Sequence, residues 1–138
     1  MTFSGVNYLA VLIAAVAAFA WGAVYYMVLS KQWLAAVGRT KADFDAQCRT
    51  PTPFVVSIVA LLVMAWVMAG TLGHLGAGQV TAKNGIVSGL FLWLGYIVTI
   101  MAMSNVYGGR KTALTFIDSG HWIGVVVIQG AIIGALGV

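Results

Sequence analysis

Residues 112–138, TALTFIDSGHWIGVVVIQGAIIGALGV, decide the fold of this chain. The segment is almost wholly apolar, and it is longer than the roughly 20 helical residues that cross the hydrocarbon core of a bilayer. It also carries Asp118 and His121. Ionisable side chains near a membrane-spanning segment indicate either a functional site or placement at the membrane surface. The segment is therefore predicted to be a transmembrane helix with a polar pair whose depth decides its interpretation.

The rest of the chain has the same character. Of its 138 residues, 62% are hydrophobic and 7% are charged, whereas about 25% are charged in a typical soluble domain. The charged positions leave uncharged runs of 30, 33, 26 and 20 residues. Runs of this length without period-two alternation favour helices over the short strands of a membrane barrel. We predict an all-α fold, a four-transmembrane-helix bundle forming a single membrane domain of residues 1–138, with spans at about residues 7–29, 53–75, 85–107 and 112–136.

The basic residues predict the orientation of the bundle. The loop of residues 30–52 carries four Lys and Arg, the turn at 108–111 carries two, and the loop between the second and third spans carries one. Because Lys and Arg are enriched in cytoplasmic loops, both termini are expected outside the cytoplasm. The net charge of +4 is explained by this bias and by contact with anionic lipid headgroups. We therefore expect membrane lipids, and no nucleic acid, as partners of the basic residues.

Residues 30–52 are the longest stretch predicted outside the membrane. Their first part, KQWLAAVG, is apolar enough to form a short interfacial helix that ends at Gly38. Thr40 followed three residues later by Asp43 resembles a capping box and favours a second short helix through Cys48. A loop of this size is too small for a catalytic domain. The single cysteine excludes an intramolecular disulfide and C-x-x-C chemistry.

Small residues recur at helical spacing in three of the four spans. The first span has a small residue at every fourth position, and the third and fourth spans contain G-x-x-x-G pairs. Such residues let helix backbones approach closely, and in lipid this packing drives helix association. The pattern is a stronger indicator of close packing than of dimerisation. We predict helix-packing roles for Ala10, Ala14, Ala18, Gly22, Gly85, Gly89, Gly120, Gly124, Gly130 and Gly134.

Polar side chains from all four spans fall at similar depths. Counting about 1.5 Å per residue from the predicted cytoplasmic ends gives a candidate polar cluster near the cytoplasmic boundary. Near the middle of the membrane, Gln129 falls level with Trp66 and Trp93. A buried amide needs a partner, and an indole N–H is the expected donor. The candidate cluster consists of Asp118, His121, Asn105, Ser57, Tyr25 and Tyr26.

Two interpretations of Asp118 follow from its depth. Because it lies only about 9 Å into the last span, it can serve structurally, as a helix cap or as an interhelical hydrogen-bonding group. A proton or substrate role for Asp118 together with His121 is the alternative.

Counting polar residues excludes several enzyme classes. An aspartyl intramembrane protease needs two carboxylates in the membrane, and the predicted spans contain only Asp118. A bis-histidine haem is excluded because His74 and His121 fall at opposite leaflets, roughly 20 Å apart. A di-iron site lacks the further carboxylates that it needs, and no phosphate-binding glycine motif occurs. We expect no catalytic residues, no metal and no cofactor, although an enzyme acting on lipid or quinone is left open.

Both ends of the chain contain short stretches that carry a family resemblance. They are Asn7-Tyr8-Leu9-Ala10, Gly22 with Tyr25-Tyr26, Lys31-Gln32-Trp33, Ile117-Asp118-Ser119-Gly120-His121 and Gly130-Ala131-Ile132-Ile133-Gly134. In these stretches the chain resembles a bacterial family of small four-span integral membrane proteins known only as a domain of unknown function. The chain departs from the family pattern at Val24, where members often have Trp. The resemblance implies a four-helix membrane fold in the bacterial cytoplasmic (inner) membrane, as a multi-pass protein, and implies no activity.

Two functional hypotheses lead, ahead of the enzyme acting on lipid or quinone that is left open above. The first is a small non-enzymatic integral membrane protein that acts by helix packing, either as a homo-oligomer or as an accessory subunit of a larger membrane complex. Its partner is then a second copy of itself or another membrane protein. The alternative is an oligomeric transporter or channel for a small solute or proton that uses Asp118 and His121.

Overall fold

The computed structural model describes residues 5–76 and 78–138. Over these residues the chain is all-α, without strands, and four of its helical segments are long and apolar enough to cross a membrane. This confirms the predicted all-α fold with four membrane-length helices. The elements are α1 (Tyr8–Val28), α2 (Ser30–Val37), α3 (Lys41–Gln47), α4 (Thr52–Gly73), α5 (Ala82–Leu92), a π-helical segment (Trp93–Val98), α6 (Thr99–Tyr107) and α7 (Thr112–Leu136).

The third membrane-length helix is interrupted in its middle. It runs from Ala82 to Tyr107 as α5, the π-helical segment and α6. A π-helical turn inserts an extra residue into the helix and rotates the side chains that follow. Nothing in the amino-acid pattern indicates this change, and it alters which face of α6 is turned toward α7.

Local sequence explains the ends of the short helices in residues 30–52. Gly38 closes α2 in the left-handed conformation at φ 75°, a geometry that glycine adopts without steric cost. Thr40 and Asp43 form the capping box at the start of α3, where the Thr40 side chain accepts from the Asp43 backbone N–H at 3.2 Å. Hydrogen bonds from the Thr40 hydroxyl and backbone N–H to the Asp43 carboxylate lower the pKa of Asp43 below its ordinary value of 3.8.

Helix α7 is the central element of the bundle. It packs against α1, α4 and α5, and it has more buried residues than any other helix in the described part of the chain. At Gly85 and Gly130 the backbones of α5 and α7 approach so closely that a Cβ on either residue would overlap the carbonyl group of the other. Gly134 lies in the same way against the Thr81 carbonyl. A Cβ at Gly89 would lie 2.7 Å from the Val126 oxygen.

Helix α1 uses its small residues against the other spans. Ala10, Ala14 and Ala18 are 0% exposed, and Ala14 and Ala18 belong to the buried cluster formed by α1, α4 and α7. Asn7 caps α1 by accepting from the Ala10 backbone N–H and also donates to the Leu136 carbonyl at 3.2 Å. This hydrogen bond connects the start of α1 to the end of α7.

The bundle is packed unevenly along its length. We call the end of the bundle that carries residues 30–52 the loop-1 end. It is formed by α2 and α3 together with the C-terminus of α1, the first turns of α4, the end of α6 and the start of α7. The buried residues of α4 all lie at or after Leu61, and those of α1 at or before Ala18. Among the described residues, α6 contributes none. Helices α1, α4 and α6 are therefore less buried at the loop-1 end than the helices are near the termini, whereas α7 keeps Leu114, Ser119 and His121 buried there.

Candidate functional site

Asp118 connects three helices at the loop-1 end. The Tyr26 hydroxyl at the end of α1 donates to Asp118 Oδ1 at 2.8 Å, and the Trp33 indole N–H of α2 donates to the same oxygen at 3.1 Å. Asp118 is half-buried and is the seventh residue of α7. The helix-cap interpretation is therefore wrong, because α7 already begins at Thr112. The interhelical hydrogen-bonding role is the one that the structure shows.

Three aromatic side chains donate to backbone carbonyls of α7. Two of them come from α1 and one comes from the π-helical segment. A helical carbonyl has two lone pairs, so it can accept a second hydrogen bond beside the one within its own helix. The bonds run from Trp21 Nε1 to the His121 carbonyl at 3.0 Å, from the Tyr25 hydroxyl to the Ile117 carbonyl at 2.8 Å, and from Trp93 Nε1 to the Ser119 carbonyl at 2.9 Å.

The first glycine pair of α7 makes room for two of these donors. A Cβ at Gly120 would overlap the Tyr25 hydroxyl, and a Cβ at Gly124 would overlap the Trp21 indole. The pair was predicted to bring helix backbones together. In the structure it instead receives aromatic side chains of α1, which reach the α7 backbone because no side chain stands in the way.

His121 is enclosed by aromatic rings. It is 8% exposed, and its ring centroid lies 4.8 Å from those of Tyr26 and Trp122 and 5.8 Å from that of Tyr25. Gly22 provides the space for the imidazole, since a Cβ there would lie 2.9 Å from His121 Nε2. His121 Nδ1 is buried and has no hydrogen-bond partner among the described residues. Tyr25, Tyr26, His121 and Asp118 therefore lie together, as the depth count predicted.

Two members of the predicted cluster lie elsewhere. Asn105 donates to the Thr115 hydroxyl at 2.9 Å and not to Asp118. Ser57 is exposed and donates to the Pro53 carbonyl of its own helix at 2.7 Å. The member that the sequence reasoning missed is Trp33. An aromatic residue with an N–H donor just after the first span was the available signal, but an interfacial aromatic belt explained it equally well.

Gln129 is fully buried at the crossing of α4 and α7. Its side-chain Nε2 donates to the Leu61 carbonyl at 2.9 Å. Its Oε1 has no partner within residues 5–76 and 78–138. The prediction of an indole donor for Gln129 is therefore wrong. Trp93 donates to the Ser119 carbonyl, and neither Trp93 nor Trp66 donates to Gln129 Oε1. A backbone carbonyl takes the place of the predicted side-chain partner.

A cavity of about 170 Å³ lies beside the Asp118 site and is lined by Tyr26, Ser30, Trp33, Leu34 and Phe44. We call it the aromatic cavity. Its three rings pack edge to face, with centroids 5.7 Å apart for Tyr26 and Trp33 and 5.8 Å apart for Trp33 and Phe44. The two rings that donate to Asp118 therefore also form the cavity wall. No group of three or more His, Cys, Asp or Glu positioned to hold a metal ion occurs in the described part of the chain.

These features define a small multi-pass membrane protein whose last helix is held in the bundle by aromatic donors and close glycine contacts. The family described as "Protein of unknown function (DUF1761)" matches residues 9–134, and the chain belongs to that family. The match confirms the expected membership of a family of unknown function, and it extends over the middle spans as well as both ends. No curated protein and no solved structure matches the chain.

Proposed function

We propose that this is a non-enzymatic membrane protein that acts by associating, at the loop-1 end, with a second membrane-embedded chain. The partner is either another copy, which gives a homo-oligomer, or a different subunit of a larger complex. The observation that supports the proposal is the uneven packing. The first two turns of α4 and the whole of α6 contribute no buried residue within the described chain.

The glycine and alanine surfaces do not serve this association. The residues predicted for packing lie against other helices of the same chain, as described for Ala14, Gly85 and Gly130. Those surfaces are occupied, and an association face has to lie elsewhere. Exposed, mostly β-branched side chains on the first turns of α4 offer a shape-complementary surface for van der Waals packing, which drives helix association in lipid.

The proposed setting is the bacterial cytoplasmic membrane, with the loop-1 end in the cytoplasm and both termini outside. The distribution of Lys and Arg supports this orientation, since six of the seven basic residues lie at the loop-1 end. Lys111 already binds the Ala35 carbonyl on α2 at 2.7 Å, and Arg39 donates to Gln47. The remaining basic side chains there can meet anionic headgroups. Contacts with lipid, and none with nucleic acid, are part of the proposal.

Cysteine crosslinking in native membranes tests the association. In a Cys48→Ser background, Val56→Cys places a thiol on the exposed face of α4 near the loop-1 end. The matched control is Val67→Cys, which lies 11 residues and about three turns further along the same face. Both positions are exposed, at 60% and 47%. We expect a maleimide-linked benzophenone, which attaches to the thiol and photocrosslinks to any nearby C–H bond, to join Val56→Cys, and not Val67→Cys, to a second chain, whose mass identifies it.

Native mass spectrometry of the extracted protein provides the decisive negative result. A strict monomer without a co-purifying partner, together with no adduct at either cysteine, would contradict the association.

Transport of a proton or small solute is a second candidate. His121 Nδ1 is buried without a partner, and Asp118 receives its hydrogen bonds from uncharged donors. In proteoliposomes, Asp118→Asn is expected to abolish a pH-dependent flux. The exposed Asp45→Asn on α3 is the matched control and is expected to retain it. Absence of any flux in the wild-type protein would remove this candidate.

A further inference from the structure

We propose that the aromatic cavity binds a small organic cation, an ammonium group bearing short alkyl substituents. The inference does not depend on the association proposed above. It rests on the juxtaposition of three aromatic rings around one cavity with a carboxyl group directly behind two of those rings.

The walls of the cavity suit a cation with an apolar surface. Tyr26, Trp33 and Phe44 line it, and the negative face of an aromatic ring attracts an ammonium group held within about 6 Å of the ring centroid. Trp33 packs edge to face with both neighbours, at interplanar angles of 70° and 75°. Trp33 therefore stands at a steep angle to both of its neighbours, so the cavity wall is not a single flat stack of rings and can contact a compact cation from more than one direction.

The charge behind the wall favours a cation over a neutral ligand. Tyr26 and Trp33 both donate to Asp118 Oδ1. A phenol or indole that donates to a carboxylate becomes more electron-rich, which strengthens its attraction for a cation on its face. In residues 5–76 and 78–138, no Lys or Arg pairs with Asp118. Lys111 is bound instead to the Ala35 carbonyl. No ion pair therefore neutralises this carboxyl group within the described chain.

The size of the cavity limits the ligand. A cavity of about 150 Å³ accepts benzene, so 170 Å³ accommodates a trimethylammonium or similar short alkylammonium group. The same group occurs in free amines and in phospholipid headgroups. The lining side chains come from the end of α1 and from α2 and α3, outside the tightly packed half of the bundle. Both sources can therefore reach the site from the membrane surface.

The test measures choline binding to the purified full-length protein in a maltoside detergent by isothermal titration calorimetry. Its uncharged isostere, 3,3-dimethyl-1-butanol, has the same shape and is the matched control ligand. We expect saturable choline binding that is at least about tenfold tighter than that of the alcohol. Equal affinities would show that the cavity is only an apolar pocket, and absence of saturable choline binding would equally overturn the proposal.

Substitutions locate the site. Loss of one ring is expected to weaken choline binding about 2- to 30-fold. Phe44→Leu is the most informative change, because Phe44 lies on the exposed helix α3 and its loss leaves the bundle core intact. Trp33→Leu is expected to weaken binding further, since it removes both a ring and a donor to Asp118. Phe54→Leu, on the exposed face of α4, is the control. Unchanged choline affinity in Phe44→Leu and Trp33→Leu would refute the site.

Nanodiscs distinguish the two sources of the cation. If a lipid headgroup is the ligand, nanodiscs of phosphatidylcholine compete with free choline, whereas nanodiscs of phosphatidylglycerol leave choline binding unchanged. If the ligand is a free amine, choline binds equally in both. Either result supports an ammonium site. Loss of choline binding in both kinds of nanodisc would show that the cavity exists only in detergent and would contradict the proposal.

Discussion

The close approach of α5 and α7 predicts a sharp difference between two glycines of the same membrane-length helix. Gly89→Ala places a Cβ 2.7 Å from the Val126 oxygen and 3.1 Å from its carbonyl carbon, whereas ordinary contacts begin at 3.4 Å. The helices must therefore move apart by about 0.7 Å, the difference between 3.4 and 2.7 Å. At Gly95, in the π-helical segment, an added Cβ meets nothing within 4 Å. Gly95→Ala is accordingly the matched control.

The expected free-energy changes follow from packing. Overpacking a closely packed interface costs about 1–3 kcal/mol, and the backbone of α7 cannot give way as the end of a flexible side chain would. An alanine at Gly95 avoids this cost and gains up to about 1 kcal/mol of helix propensity. We expect Gly89→Ala to lower the free energy of unfolding by about 1–3 kcal/mol relative to Gly95→Ala. The assay is reversible unfolding in mixed micelles titrated with sodium dodecyl sulfate, followed by tryptophan fluorescence.

Two results would refute this reasoning. If Gly89→Ala and Gly95→Ala unfold at the same detergent fraction, α5 and α7 do not approach as closely as the structure shows. If Gly89→Ala instead changes the oligomeric state without changing the stability of the single chain, the glycines pack between chains. Native mass spectrometry of both variants separates these outcomes.

Three further predictions use the same unfolding assay or nuclear magnetic resonance. Gln129→Leu removes a buried amide oxygen without a partner and also the hydrogen bond from Nε2 to the Leu61 carbonyl. The relief of the unpaired oxygen offsets the lost bond, so stability is expected to be unchanged or higher by about 1 kcal/mol. A loss above that value would indicate a buried water or ligand on the oxygen. Trp21→Phe removes the donor to the α7 backbone and is expected to lower stability by about 0.6–1.7 kcal/mol. Trp122→Phe removes no such bond and is the control. Equal losses of stability in the two variants would contradict the role of the Trp21 hydrogen bond. The lowered pKa of Asp43 means that its contribution to α3 is present above the pKa of the unfolded chain and is lost as the pH falls through the lower folded value. The helical backbone chemical shifts of α3 should therefore be lost on acidification below about pH 4. In Asp43→Asn, which lacks the carboxyl group, they should not change with pH. Chemical shifts of α3 that do not depend on pH in the wild-type protein would count against the capping box.

The sequence predicted the features that depend on composition and on local spacing. The four membrane-length helices follow from uncharged runs, and the start of α3 follows from Thr40 and Asp43, because both depend on residues near in sequence. Depth counting correctly placed Tyr26 level with Asp118. It failed for Asn105, since a count of residues gives the height of a side chain but not the direction in which it points.

Asn105 follows the π-helical segment at Trp93–Val98, which changes the register of the helix relative to an uninterrupted α-helix. Asn105 meets Thr115, so the count missed its partner on α7 by about one turn. The angle of α2 likewise depends on packing against α7 and cannot be read from residues 30–37. For that reason the contribution of Trp33 to the Asp118 site was not predictable.

The position of Asp118 relative to the other hydrogen bonds of α7 predicts how much stability it contributes. Three donors already fix this part of α7 through its backbone carbonyls at residues 117, 119 and 121. Because none of these bonds uses a side chain of α7, they survive any substitution at Asp118. An asparagine there still offers an oxygen to Tyr26 and Trp33, so only the difference between a charged and a neutral acceptor is lost, about 1 kcal/mol.

We therefore expect Asp118→Asn to fold and to unfold within about 1 kcal/mol of the wild-type protein, as measured in mixed micelles. A loss of about 3 kcal/mol or more would show that Asp118 is chiefly a structural residue, since that is the cost of leaving buried hydrogen-bonding groups without their charged acceptor. A small loss has the opposite meaning. The chain would then hold a carboxyl group at the loop-1 end that its fold does not require, with two aromatic donors on one oxygen and a cavity behind them. Stability alone does not explain a residue of that kind in a membrane-spanning helix, and binding does.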